Sequence, residues 1–202
     1  MVQKKIDLYD QHKQEYVTPK TPVLLAIKPA KYLAIDGRGE PGGPRFTAAV
    51  GALYAVAFTI KMTRKFDGRQ DYSVAKLEGF WHVDGSAAPP RDEWRWTLVI
   101  RTPPFVTAAE LREAVATLIA KKKPAEVKEV RLETRREGSC VQMLHVGSYD
   151  REAESIEKMR AFAERKGLGL TGPHHEIYLS DPRRVPPERL RTILREPVRP
   201  NR

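Results

Sequence analysis

The chain has 202 residues, 41% of them hydrophobic, and a mean hydropathy of -0.52, which is enough to bury a core as one domain or as two fused small ones. Its single cysteine, Cys140, excludes an intrachain disulfide framework and a cysteine-cluster metal site, and is expected to be a small buried apolar residue. A formal charge of +10 raises the question of a nucleic-acid partner, but acids interrupt most of the basic runs and no zinc-finger, RNP or basic-zipper pattern accompanies them. Nucleic acid is therefore disfavoured. The first residues lack the apolar stretch of a secretion signal, and no run approaches a membrane span, so a cytoplasmic protein without a membrane partner is expected.

In chain order, weak helical spacing from Lys4 to Tyr16 gives way to breakers at Thr18-Pro19-Lys20-Thr21-Pro22. Val23–Ile27 and Lys31–Asp36 read as two strands joined by Lys28-Pro29-Ala30, a plausible hairpin. A glycine- and proline-rich loop, 37–44, leads to a nearly uncharged helix from Phe46 to Met62. A strand around Lys76–Val83 follows, then a loop at Asp84–Pro90, then a strand from Trp94 to Ile100. Thr107-Ala108-Ala109-Glu110 fits a capping box opening a helix that Pro124 ends, a helix read as a connector. The triplet Lys121-Lys122-Lys123 then sits where a helix macrodipole favours cations.

The second half replays the first. Strands at 127–134 and 141–146 form the matching hairpin, Asp150 is placed to N-cap a helix running to Lys166, and Gly167 stops it. A strand over His174–Leu179 comes next, and Pro186-Pro187 opens a final helix carrying Leu190, Ile193 and Leu194. The division expected is 1–22 as a lead-in, 23–106 as the first half, 107–125 as a connecting helix and 126–202 as the second half with a basic tail.

Two strands carry chemistry. Alternation puts His174, Glu176 and Tyr178 on one face and His175, Ile177 and Leu179 on the other; likewise Lys76, Glu78, Phe80 and His82 face away from Leu77, Trp81 and Val83. A glutamate centred in an apolar strand is paired, hydrogen-bonded or facing a cavity, because burying a lone carboxylate is costly. Two carboxylates in one cleft push their pKa values apart, which makes one an acid and the other a base; among aromatics they instead attract cations. The sequence leaves both uses open, and equally leaves open a purely structural pairing with Lys76, His82 or His174. Phe80 and Tyr178 are expected to line a pocket, Trp81 to join them if Gly79 marks a bulge, and Tyr54, Met143 and Tyr149 are weaker candidates. Adjacent His174 and His175 point oppositely and do not suit one metal, and no Walker loop, G-x-G-x-x-G or G-x-S-x-G element is present, so neither metal nor cofactor is expected.

Glu78-Gly79-Phe80-Trp81, the run from His145 to Glu152 and the run from Thr171 to Arg184 resemble the long stand-alone branch of the GyrI-like small-molecule-binding proteins. The likeness spans about Lys4 to Val198. It implies an α+β fold of two tandem SHS2-like modules related by a pseudo-twofold axis, with a ligand cleft between them. It further implies a small hydrophobic or aromatic ligand and, for this branch, cyclopropanoid cyclohydrolase activity, which opens the strained ring of DNA-alkylating natural products with water. By the same resemblance Glu78 and Glu176 are the cleft carboxylates, with Trp81 and Tyr178 beside them. Non-catalytic sequestration of planar or cationic toxins is the alternative, and a monomer and a homodimer are both compatible with the sequence.

Overall fold

The computed structural model describes residues 4–82 and 90–201; the expected loop at Asp84–Pro90 lies, except for Pro90, outside the described residues. The fold is α+β, and the chain divides into two compact units, each made of two separate stretches of sequence. The first unit holds the described residues up to His12 together with Ala30–Arg135; the second holds Lys13–Pro29 and the residues from Arg136 onward.

In the first unit, α1 (Leu8–Gln11) precedes β2 (Ala30–Arg38), α2 (Pro44–Phe66), β3 (Leu77–His82), β4 (Arg95–Thr102), α3 (Ala108–Ala120) and β5 (Arg131–Arg135). Its antiparallel strands run in the order β3-β4-β2-β5. One face of this sheet, through Leu33, Ile35, Trp96, Leu98 and Ile100, packs on Ala49, Leu53, Val56 and Ile60 of α2. By length and hydropathy α2 would qualify to cross a membrane, contrary to the expectation that no run does. Its buried face gives a core helix's reason for that apolarity. The expected capping box is present: Thr107 accepts from the Glu110 backbone, and Glu110 accepts from the Thr107 backbone N–H at 2.8 Å. Glu110 also receives Arg64 and Arg69, which ties the start of α3 to the end of α2.

Gly37 sits opposite Trp96 in the β2–β4 register, and the indole lies over it. A Cβ there would fall 2.0 Å from the Trp96 ring, while the indole Nε1 is fixed by donating to the Gly39 carbonyl at 3.1 Å. Gly37→Ala is expected to destabilise the protein by about 1–3 kcal/mol, the usual range for overpacking, read as a lower urea midpoint at unchanged slope.

The second unit contains β1 (Val23–Ile27), β6 (Gly138–Val146), α4 (Glu152–Arg165), β7 (Leu168–Leu170), β8 (His174–Tyr178) and β9 (Arg191–Pro200). Its order is β1-β6-β9-β8, with β7 also pairing β9. Met159 and Ala163 of α4 cover Val141, Met143, Leu194 and Val198.

Three readings of the sequence are corrected here. β1 and β2 do not form a hairpin: β1 pairs with β6, and β5 pairs with β2. A two-residue hairpin turn wants φ > 0, which Lys28-Pro29 does not supply. The expected last helix is a 3-10 turn at Pro187–Arg189 followed by β9. Both faces of β9 are buried from Thr192 to Arg195, which erases the alternation that marks a half-exposed strand. Finally, Asp150 is not the N-cap of α4: it lies in a 3-10 turn, Tyr149–Arg151, and Arg151 stands at the N-cap before Glu152 begins α4.

Candidate active site

Gly172 opens the approach to β8 by letting Pro197 of β9 come where a Cβ would lie, 2.6 Å from the proline Cγ. Strand alternation then sends His174, Glu176 and Tyr178 to one face, as expected; Glu176 is in register with Leu194, which packs under α4. The first residue of α4, Glu152, hydrogen-bonds Glu176 and Thr192. Its Oε1 is buried without a hydrogen-bond partner.

Two carboxyl groups in contact share a proton. Glu152 holds it: burial first, then the charge of Glu176 and the hydrogen bond to it, push its pKa from 4.5 up to about 10. A helix N-terminus favours an anion by only about 0.3–1 kcal/mol, under one pKa unit, so the dipole of α4 does not reverse this. With its pKa raised to about 10, Glu152 is the acid of the pair.

His174 completes the group. Its Nδ1 donates to Glu196 Oε1 at 2.7 Å, and its Nε2 lies 3.5 Å from Glu176 Oε1, buried and without a hydrogen-bond partner. Burial opposes the imidazolium, but the bond to Glu196 and the charges of Glu176 and Glu196 outweigh it and raise the pKa above the ordinary histidine value. Donor atoms of Glu152, His174 and Glu176 fall within 4.8 Å of one another.

Tyr149 and Tyr178 meet edge to face beside it, with ring centroids 6.0 Å apart. Burial, followed by the charges of Glu176, Glu152 and Asp181, pushes Tyr149 up to about 12, so both its hydroxyl and its ring are neutral contacts. The turn carrying Tyr149 is held by His145, which lies 3.1 Å from the Ser148 carbonyl through Nε2 and 3.0 Å from Ser155 Oγ through Nδ1.

Of the other expected residues, Met143 belongs to the same unit, and Tyr54, Glu78, Phe80 and Trp81 belong to the first unit. Glu78 is fully buried in β3, in register with Val99 and on the sheet face away from α2. Phe80 shares that face, with the Arg135 guanidinium 4.2 Å from its ring. Beyond it His82 Nε2 contacts Thr97 Oγ1 at 3.0 Å, and Thr97 donates to Asp36 at 2.8 Å. Trp81 points the other way, into the core, parallel to Phe46 with centroids 6.0 Å apart. Register with β4 is unbroken from Leu77 to His82, so Gly79 marks no bulge there, the condition on which Trp81 was to join the pocket is not met, and Trp81 does not turn to the face of Glu78. Tyr54 is half-buried on α2 and stacks on Phe58; Met143 belongs to the apolar core beneath α4. Glu176 thus faces the helix of its own unit while Glu78 faces away from the helix of its own, and the residue-level match read from the two strands does not hold. Sequence reasoning missed Glu152, Thr192 and Glu196. Glu152 lay inside a recognised motif, and the other two were hidden in the segment read as a helix.

The family model for the GyrI-like small molecule binding domain matches residues 22–199. The chain belongs to this family. Among solved structures, this GyrI-like chain is similar to a hydrolase from Listeria innocua at 40% identity and a TM-score of 0.88, covering 96% of this chain and 100% of that one. It is also similar to the structure of a hydrolase encoded by lin2189 from Listeria innocua, at 39% identity and a TM-score of 0.90, covering 97% of this chain and 100% of that one. The EcmrR C-terminal domain, at 11% identity and a TM-score of 0.59 over 90% of this chain and 98% of its own, shares the fold. No curated protein matches the chain. As in other GyrI-like domains, a small molecule is the ligand to look for.

Proposed function

We propose that this GyrI-like protein is a cofactor-free hydrolase in which Glu176 is the base and Glu152 the acid. The observation that carries this reading is the pair of buried carboxyl groups, Glu152 and Glu176, with oxygens within 4.8 Å of each other, where burial and the charge of Glu176 raise the pKa of Glu152. The similarity, at about 40% identity, to two hydrolase structures from L. innocua supports it. The substrate class follows from the sequence resemblance: a cyclopropane fused to a cyclohexadienone, as in alkylating natural products.

The step balances within the pair. Glu176 takes a proton from water as the water oxygen bonds the cyclopropane carbon; the ring C–C bond breaks, and its electron pair aromatises the dienone. Glu152 gives its proton to the oxygen that becomes the phenol. Glu176 is then protonated and Glu152 ionised, and their hydrogen bond returns the proton, which readies the site again. Tyr149, partly exposed beside the pair, and Tyr178 supply an aromatic wall for the ligand. Glu78 enters as a separate claim, removed if Glu78→Gln turns over normally. The tandem SHS2 pseudo-symmetry and a cytoplasmic setting remain parts of the same proposal.

The deciding experiment is mass spectrometry of a cyclopropane-bearing alkylating agent with a trace of protein. A water adduct accumulating over many turnovers supports the reading; protection that never exceeds one ligand per chain supports sequestration instead, for which an ionised Glu176 beside two tyrosines would hold a cation. Turnover is expected to be unchanged by EDTA, since a proton satisfies the carboxylate pair. Loss of activity in the chelator, restored by a divalent metal, would overturn the cofactor-free assignment.

A further inference from the structure

The acid–base step uses Glu152 and Glu176 and leaves two buried groups without a task. His174 lies between carboxylates on both sides, Glu196 at 2.7 Å from Nδ1 and Glu176 at 3.5 Å from Nε2. The 3.5 Å contact is within ion-pair reach but is not an aligned hydrogen bond, so Nε2 is a buried polar atom aimed at the base and not yet engaged. The groups facing the imidazole are Glu196 from β9, Glu176 from its own strand and Glu152 from α4. The neighbouring His175 turns to the opposite face, where it is bonded to Glu137 at 2.9 Å.

We propose that His174, anchored by Glu196, is the positioning residue of Glu176 and sets the alkaline limit of the site. As imidazolium it donates from Nε2 to Glu176, aims that carboxylate at the water and keeps the shared proton on Glu152. Once it loses its proton, Glu176 loses its partner. The inference rests on the hydrolase reading for its effect on turnover, but not for the state of the histidine itself.

The raised pKa of His174 agrees with this arrangement, because Glu196 and Glu176 overcome the burial that would otherwise strip the proton. Activity should therefore fall on the alkaline side as His174 deprotonates, a limb that follows the His174 titration rather than that of Glu152. Without the histidine's role, only the Glu152 limb would be seen.

The test has two arms. Nitrogen-15 NMR of the histidine rings is followed across pH in wild type, Glu196→Gln and Glu176→Gln, with the His174 signals identified by their loss in His174→Gln. The His174 titration is expected to move acidward by about 1 unit or more in each glutamate variant, the usual effect of an opposite charge at this range. An unchanged titration in both overturns the proposal, and because no substrate is present, that result is independent of whether the protein is a hydrolase. In the second arm the alkaline limb of kcat moves acidward in Glu196→Gln by the same amount, KM stays constant, and Glu196→Asp restores the limb. A Glu196→Gln protein with lower stability but an unmoved limb has lost only a structural contact, which also overturns it.

Discussion

Glu176→Gln is expected to lower kcat by about a hundred- to ten-thousand-fold, the usual contribution of a positioned general base, with ligand affinity kept within a few-fold. Glutamine has the shape of glutamate and still accepts the hydrogen bond from Glu152, so the walls of the site stay in place. What is lost is the ability to take a proton from water. Glu152→Gln should act differently, because the amide still donates to Glu176 but has no proton to give to the departing oxygen; its loss should be greatest for substrates that form the most basic oxygen. Steady-state kinetics alongside a binding titration separates the two. A Glu176→Gln protein that binds weakly yet turns over at the normal rate when saturated would place Glu176 in recognition and not in catalysis.

Glu137→Gln should cost about 3–5 kcal/mol of stability, the range for removing one partner of a buried ion pair. On the second unit's other sheet face, Arg195 is 1% exposed and donates to Gln142 Oε1 at 2.7 Å, to Glu137 Oε2 at 3.0 Å and to the Glu15 carbonyl. His175, fully buried, holds the other Glu137 oxygen. Burial opposes the Glu137 carboxylate, but His175 and Arg195 prevail and bring its pKa from 4.5 down to about 2. With a depressed folded-state pKa, the stabilisation is fully present above about 4.5 and is lost as the pH falls through about 2. Its size from the shift is about 3 kcal/mol. Urea unfolding at pH 7 should show the full gap between wild type and variant, and the gap should narrow steadily on acidification. A gap independent of pH would mean that packing, not charge, supplies it.

Local signals in the sequence carried much of the fold. The Thr107–Glu110 box, the helix α2 and the alternation of β8 each follow from neighbouring residues, and each stands in the structure, although α2 is buried along one face and not all round. Strand partnership was not legible, because Val23 pairs with Gln142 and nothing near Val23 says so. The site divided in the same way. Glu176 was visible as a carboxylate in an apolar strand, whereas Glu152 looked like one of several acids at a helix start, where solvent is the ordinary environment. Only tertiary burial makes it an acid near neutrality. Glu196 was lost with β9, since a strand buried on both faces has no period to detect.

The exchange of outer strands, with β1 on β6 and β5 on β2, governs how the chain must be handled and how fast it folds. A fragment ending after β5 would keep β2, β3, β4 and β5 together but carry β1 without its mate, and the complementary fragment would present β6 with a bare row of amides and carbonyls. Two such pieces are complementary to each other and equally to any second copy, which makes limited proteolysis in this region a route to reassembly or to clumping. In the intact chain the same pairing can close only after a long loop has been searched, so folding is governed by contacts remote in sequence and the early product of translation waits, with β1 unmatched, until β6 has been made.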